Sequence, residues 1–302
     1  MEDNRFTGKY YGVSFGRKLM GCEMLNLDNY ANLKAVHIIK DEQTIFEYIR
    51  ENEKETSLFP VGCIFKSFLS VLVGIALYEG KIGSIDDCVI DYIFHDKITD
   101  INWYKLKIKH ALSKTTGIAW PRPQEPFPAN MKEVMELKFE SEPGVLFQYK
   151  PDPQIIVYLL EEVYGAEITE LFRTKIVSYF INKDYMWDKN DIQGMKVSVS
   201  MLNELGQLML SKGVINGKRL FSEEFYAQSI CEYSCGGFPE CTPNGLGWWI
   251  GKDLKIPYFF ASGFGGQYLV VIPQKKMVIS ILSDMDRPHS ENKIVIEKAL
   301  QL

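Results

Sequence analysis

Two residues three positions apart are of types that can do chemistry together. They are Cys63 and Lys66, in Val61-Gly62-Cys63-Ile64-Phe65-Lys66-Ser67-Phe68-Leu69-Ser70. A thiol at a helix start meets the positive end of the helix dipole, and a neighbouring ammonium adds to that field. Both favour thiolate, which attacks a carbonyl carbon with less help from a base than a hydroxyl needs. The spacing predicts one shared helix face for the two side chains. A plainer reading stands beside this one, since a buried cysteine often serves as a small hydrophobe.

The helix that this stretch opens must position the pair. It is expected over 64–79, ending at Gly80, a residue suited to the left-handed C-terminal position. Ile64, Phe65, Phe68, Leu69, Val71, Leu72, Val73, Ile75, Ala76 and Leu77 cover every face of it, so the helix is expected to be buried. An ammonium in its first turn then needs partners.

The pattern resembles the Ser-x-x-Lys motif of the serine beta-lactamase and penicillin-binding-protein superfamily, with cysteine in the place of serine. Gly74-Ile75-Ala76, Glu79-Gly80-Lys81-Ile82 and Ser84-Ile85-Asp86-Asp87 extend the match. Pro143-Gly144-Val145-Leu146-Phe147-Gln148-Tyr149 is similar to the Pro-Gly-x-x-Phe-x-Tyr of the class C beta-lactamase and esterase branch. Ala261-Ser262-Gly263-Phe264-Gly265-Gly266-Gln267 resembles the strand text of the 6-aminohexanoate-dimer-hydrolase-like branch. Leu112-Ser113-Lys114-Thr115-Thr116-Gly117-Ile118 resembles a Leu-Leu-x-His-x-Ser-Gly-Leu segment. Met186-Trp187-Asp188 with Asp191 and Gly194 resembles a Trp-x-x-Asp-x-x-Gly segment. The order of these pieces matches the order in that family.

The resemblance implies roles. Cys63 takes the nucleophile's position, while Lys66 and Tyr149 shuttle protons. The backbone N–H groups of Cys63 and Phe264 form an oxyanion hole. Ser262, Gly263, Trp187 and Trp120 bind substrate. Two departures bear on this: Pro151 stands where an Asn or Ser follows the tyrosine, and Ala261 where a Lys or His would grip a carboxylate. The implied function is covalent acyl transfer, as a hydrolase, acyltransferase or transamidase, through a Cys63 thioester acyl-enzyme on an amide, ester or thioester. The partners would be a small-molecule or peptide acyl substrate and, for transfer, an amine acceptor. Two alternatives stay open: a catalytically silent binding or sensor protein, and a serine hydrolase whose serine has been replaced by cysteine.

Composition narrows the classes. The 302 residues carry a net charge of −5 with both signs interspersed and no basic run, which argues against nucleic acid. The apolar run at 68–77 is too short to span a bilayer, and no apolar segment follows Met1, so a cytoplasmic location without membrane association is expected. Cys231, Cys235 and Cys241 have no histidine near them and no fourth ligand, so neither a metal nor another cofactor is expected. His37, His95 and His110 read as structural, for no carboxylate or nucleophile pattern accompanies them. Oligomeric state is not legible.

The expected fold is α/β (α+β), a beta-lactamase-like fold with an antiparallel sheet flanked by helices and an inserted helical lobe. It is read as one beta-lactamase-related domain over 1–302 with two lobes. Residues 1–62 and 213–302 would form the α/β lobe and 63–212 the mainly helical one. A hairpin is expected at 35–40 and 44–48. Helices are expected at 106–113, 130–137, 154–164, 167–180 and 200–212, the last capped by Ser200. An aromatic-rich meander follows over 245–282, and a last helix over 291–302.

Overall fold

The computed structural model of the chain describes residues 27, 30–93, 98, 100–122, 124–188, 190–252 and 255–301. Strands β1 (Leu33–Lys40), β2 (Gln43–Ile49) and β3 (Phe59–Pro60) precede helix α1 (Phe65–Tyr78). Helices α2 (Ile108–Leu112), α3 (Met131–Val134), α4 (Pro153–Tyr164) and α5 (Ile168–Lys175) follow, then hairpin β4 (Tyr185–Asp188) and β5 (Asp191–Val197) and helix α6 (Val199–Leu210). Short strands β6 (Val214–Ile215) and β7 (Lys218–Arg219) lead to α7 (Glu223–Ser229). Strands β8 (Ser234–Gly237), β9 (Thr242–Asn244), β10 (Trp249–Gly251), β11 (Tyr258–Gly263), β12 (Gln267–Ile272) and β13 (Met277–Ser283) come next, and α8 (Lys293–Ala299) ends the chain. The expected antiparallel sheet with helices is therefore present.

Contacts divide the chain into two compact units. The first unites residues 1–65, 180–211 and 253–302. Its strands pair antiparallel in the order β2-β1-β13-β12-β11, with Val36 opposite both Tyr48 and Ile281 and Val270 opposite Ile279. Every residue of β12 and β13 is buried, so both read as near-continuous Val, Ile and Leu. Helix α6, with Leu202, Leu205 and Met209 buried, packs on β12 and β13, and its Asn203 accepts a 2.6 Å hydrogen bond from Ser280. A Cβ on Gly206 would lie only 2.3 Å from Val278 Cγ1. His37 on β1 meets Thr44 at 2.8 Å, and burial lowers its pKa to about 4.

The sequence reading places 180–211 with the helices, yet β4, β5 and α6 pack in the first unit. The β4–β5 hairpin was not anticipated, because Asp188, Asp191 and Gly194 break the period-2 pattern of its strands. Ser198, two residues before the expected cap, bounds α6, its hydroxyl accepting from Met201 N–H at 3.1 Å. His95 and most of 1–30 lie outside the described residues.

The second unit unites residues 66–179 and 212–252. Helix α1 is its spine: from Ser67 to Ala76 every residue is buried, and Gly80 follows at φ +71°. Two buried hydroxyls pin α1 to the loop before β10, Ser67 donating to Gly247 C=O at 2.7 Å and Ser70 to Leu246 C=O at 2.6 Å. A second pin sits at the start of α4. Asp152 is buried, and its carboxylate accepts from Thr116 Oγ1 at 2.8 Å and from Trp120 Nε1 at 2.6 Å. Burial raises the Asp152 pKa from 3.8 to about 6, against the pull of Thr116, Trp120 and the charge of Lys114.

Two outcomes test these contacts. Gly206→Val should cost about 1–3 kcal/mol by overpacking α6 against the sheet, read as a lower urea midpoint. An unchanged midpoint would mean that the helix does not rest this closely on β13. The second concerns pH. With its folded pKa raised, Asp152 binds more protons folded than unfolded, so its stabilising contribution is full below about 4 and lost as pH rises through about 6. His37 and His110, both held at about 4 by burial, act in the opposite sense, stabilising above 6.5 and less as pH falls towards 4. The stability of the wild type minus that of Asp152→Asn should therefore fall as pH rises from about 4 through 6 and level off above. A difference that stays flat would mean that Asp152 ionises as freely as an exposed carboxyl.

Candidate active site

Cys63 lies in a single 3-10 turn, Gly62–Ile64, and α1 begins at Phe65. The thiol is free and half-buried. Around it two backbone segments of the first unit come together with no side chain between them. Gly62 has φ +51°, and a Cβ there would sit 3.0 Å from the amide nitrogen of Phe264. A Cβ on Gly263 would sit 2.1 Å from Val61 C=O and 3.3 Å from the Cys63 nitrogen. Glycine is required at 62 for the left-handed backbone and at 263 for the approach. Neither the Cys63 nor the Phe264 N–H donates to a backbone carbonyl among the described residues. The two amides belong to backbone segments in close approach.

The turn that carries Phe264 is fixed from below. Gly265 and Gly266 have φ +87° and +77°, and a Cβ on either would lie 2.4 Å from a carbonyl oxygen, that of Asp284 or of His289. The Gln267 amide exchanges hydrogen bonds with Ser283, donating to its C=O and accepting from its N–H, each at 2.9 Å. Asn292 donates to Gly266 C=O at 3.0 Å and accepts from Asn32 at 2.8 Å. Ser262 on β11 is buried, as is Ala261, while the Phe264 side chain is half-exposed. Trp187 on β4 is buried and gives its N–H to Ile192 C=O at 2.9 Å, within its own hairpin.

The second unit holds the candidate proton-transfer groups. Lys66 Nζ lies 4.1 Å from the centroid of the Tyr149 ring. The ring stacks on Trp249 at 6.2 Å with 12° between planes, and Phe147 tilts against the same tryptophan at 5.8 Å. Gly144 N–H donates to Thr115 C=O at 2.7 Å and Gln148 N–H to Lys114 C=O at 2.9 Å, which fixes the tyrosine segment along 114–115. Trp120 stacks on Phe127 with 7° between planes, its N–H engaged by Asp152.

Sequence reasoning missed Lys114, Asn244, Trp249 and Asp152. Lys114 is only 3% exposed and adopts φ +60°. Its Nζ donates to the buried Asn244 Oδ1 at 3.1 Å and stands 5.0 Å from the Trp249 ring. The signal was present: counting back from Gly117, Lys114 occupies the position of the histidine in the Leu-Leu-x-His-x-Ser-Gly-Leu segment. Cys231, Cys235 and Cys241 are exposed. Among the described residues no group of three or more His, Cys, Asp or Glu side chains is placed to hold a metal ion, and no helix is long and apolar enough to cross a membrane.

This geometry can be set beside known proteins. No curated protein matches the chain significantly by sequence. Its structure is similar to a protein from Bacillus anthracis described as a 6-aminohexanoate-dimer hydrolase, with 18% identity over 91% of this chain and 79% of that one and a TM-score of 0.75. It is similar to a family VIII carboxylesterase, with 14% identity, 91% and 94% coverage and a TM-score of 0.75. It is also similar to an octameric penicillin-binding protein homologue from Pyrococcus abyssi, with 18% identity, 88% and 73% coverage and a TM-score of 0.70. At these identities the likeness is one of fold. A family model described as Beta-lactamase matches residues 34–301, nearly the whole chain. The chain therefore belongs to the beta-lactamase family, within the serine beta-lactamase and penicillin-binding-protein-like superfamily.

Proposed function

We propose that the protein performs covalent acyl transfer through a thioester on Cys63. The thiolate adds to the carbonyl carbon of an amide, ester or thioester, the leaving group departs with a proton where it needs one, and water or an amine then takes the acyl group. The observation that carries this reading is the close approach of 61–63 and 263–264, which leaves the N–H groups of Cys63 and Phe264 uncommitted to backbone carbonyls among the described residues. Preorganised donors of this kind stabilise the oxyanion of a tetrahedral intermediate. Lys66 and Tyr149 serve proton transfer, and their 4.1 Å contact supports pairing them. Ser262, Gly263, Trp187 and Trp120 are the proposed substrate contacts. The indoles would contribute ring edges or faces, because both N–H groups are spent on protein acceptors.

Thioester donors and amine acceptors suit this chain better than beta-lactams. Expelling an amine from an amide needs a proton at the leaving nitrogen, and Pro151 replaces the polar neighbour of Tyr149. Attack on a thioester exchanges one thiolate for another and needs little acid help. Ala261 removes a cation whose hydrogen bond to a substrate carboxylate would be worth about 1.5–3 kcal/mol. Those same departures favour the second reading, a catalytically silent binding or sensor protein.

Intact-mass spectra after incubation with activated thioesters should show one acyl adduct, located at Cys63, absent in Cys63→Ala and discharged by an amine. Efficient cephalosporin hydrolysis without amine-dependent product would sink the preference. No adduct with any donor would leave the binding protein. Lys66→Ala and Tyr149→Phe should each slow single-turnover acylation by roughly 100- to 10,000-fold, the range of general acid–base assistance. Unchanged acylation in both would mean that they do not move protons. Iodoacetamide should alkylate Cys63 before Cys88, whose thiol donates to Tyr104 C=O at 3.1 Å and is pushed up by burial.

A further inference from the structure

Lys114 takes no part in the chemistry assigned to Cys63, Lys66 and Tyr149, yet it bears two costs at once. Its ammonium is buried, and desolvating a charge costs several kcal/mol unless partners compensate. Its backbone adopts φ +60°, a conformation that L side chains other than Asn and Asp rarely enter. Strain of this kind concentrates at functional sites. The ammonium is aimed by Asn244, whose Oδ1 accepts from it at 3.1 Å while Asn244 Nδ2 donates to Trp248 C=O at 3.1 Å. So aimed, Nζ stands 5.0 Å from the Trp249 ring and 5.7 Å from the Tyr149 ring. Lys66 Nζ lies 4.1 Å from that same tyrosine ring.

We propose that Lys114 is a positioning residue: a second ammonium, fixed by Asn244 beside Tyr149, that stabilises negative charge on the tyrosine oxygen and so lets Tyr149 accept a proton. The step is a simple proton exchange. Tyr149 oxygen, as phenolate, takes the proton of the attacking thiol or acceptor amine and returns it to the leaving group, while both lysines stay protonated. The proposal rests on the role given to Tyr149 above. Titratable groups of the same unit include Lys66; Asp152, whose pKa burial raises to about 6 against the smaller pull of Thr116, Trp120 and the charge of Lys114; Lys150, next to Tyr149 and paired with Glu140; and His110 in α2, which burial keeps neutral above about 4. A counterion of Asp152 and nothing more would leave Tyr149 unaffected by the loss of Lys114.

The test reads Tyr149 directly and needs no turnover. Carbon NMR of protein labelled at tyrosine Cζ follows its ionisation with pH, the signal being identified by its loss in Tyr149→Phe. In Lys114→Met the acid constant of Tyr149 should fall about tenfold or more, as expected for removing a unit charge 5.7 Å from the ring centroid in partly desolvated surroundings. Lys114→Arg should keep most of the effect, and Asn244→Ala, which frees the ammonium without removing it, should show a smaller shift of the same sign. An unmoved Tyr149 signal in folded Lys114→Met overturns the proposal. If that variant does not fold, an unmoved signal in Asn244→Ala does so. Failure of acylation in the wild type would instead overturn the Cys63 chemistry, with the Tyr149 titration still deciding the part played by Lys114.

Discussion

The chemistry proposed for the first unit depends on a place where two stretches of main chain touch with nothing between them. Gly263 has a carbonyl oxygen where its Cβ would be, and Gly62 turns left-handed against the Phe264 nitrogen. Any side chain at 263 would force 61–63 away from 263–264. The turn beyond is made rigid by side chains acting as backbone substitutes. Gln267 pairs with Ser283 much as two strand residues pair, and Asn292 closes the turn at Gly266. Donors held this way need no rearrangement when negative charge develops. That is the physical case for reading the segment as catalytic rather than as a sharp bend alone.

The second unit solves a different problem, that of holding cations among aromatic rings. Tyr149 and Trp249 stack nearly parallel, with Lys66 over the tyrosine and Lys114 near both. Ring faces carry partial negative charge and replace some of the hydration that an ammonium loses on burial. The serines of α1 fix the lysine-bearing turn to 246–247, and Asp152 fixes the end of the tyrosine segment to Thr116 and Trp120. The cation that the family text places at Ala261 is absent, and this chain carries an ammonium at 114 where that text has histidine.

Elements with strong periodicity were legible before any coordinates. Strands β1 and β2 and helices α1 and α4 lie within a residue or two of their expected bounds, and β12 and β13 fall where the meander is expected, because an apolar strand pattern or an all-round apolar helix leaves little else to form. Hairpin β4–β5 was not legible, since polar and glycine residues interrupt it and its pairing partner β3 is two residues long. Ordered motifs singled out Cys63, Lys66, Tyr149 and the Gly263–Gly266 turn as candidates, and the structure brings Lys66 to Tyr149 and Gly62 to the 263–264 backbone. Lys114 was not, because a lysine in a Ser-Lys-Thr-Thr-Gly turn reads as solvated until the fold closes over it. The hydrogen bond of Trp120 to Asp152 was not legible either, because a sequence does not say which acceptor an indole N–H finds.

That acceptor ties one indole to a titrating group. Trp120 donates to a carboxylate that changes charge near neutrality rather than in strong acid, and its ring is clamped flat against Phe127. The excited state of an indole is sensitive to a charge at its N–H. Protonation of Asp152 would therefore remove a charge from beside the indole N–H of Trp120, one of five tryptophans in the chain, and so change the surroundings of that ring. Lys114 is among the charges acting on that carboxylate, so the hydrogen bond of Trp120 and the cation beside Tyr149 meet at one buried group.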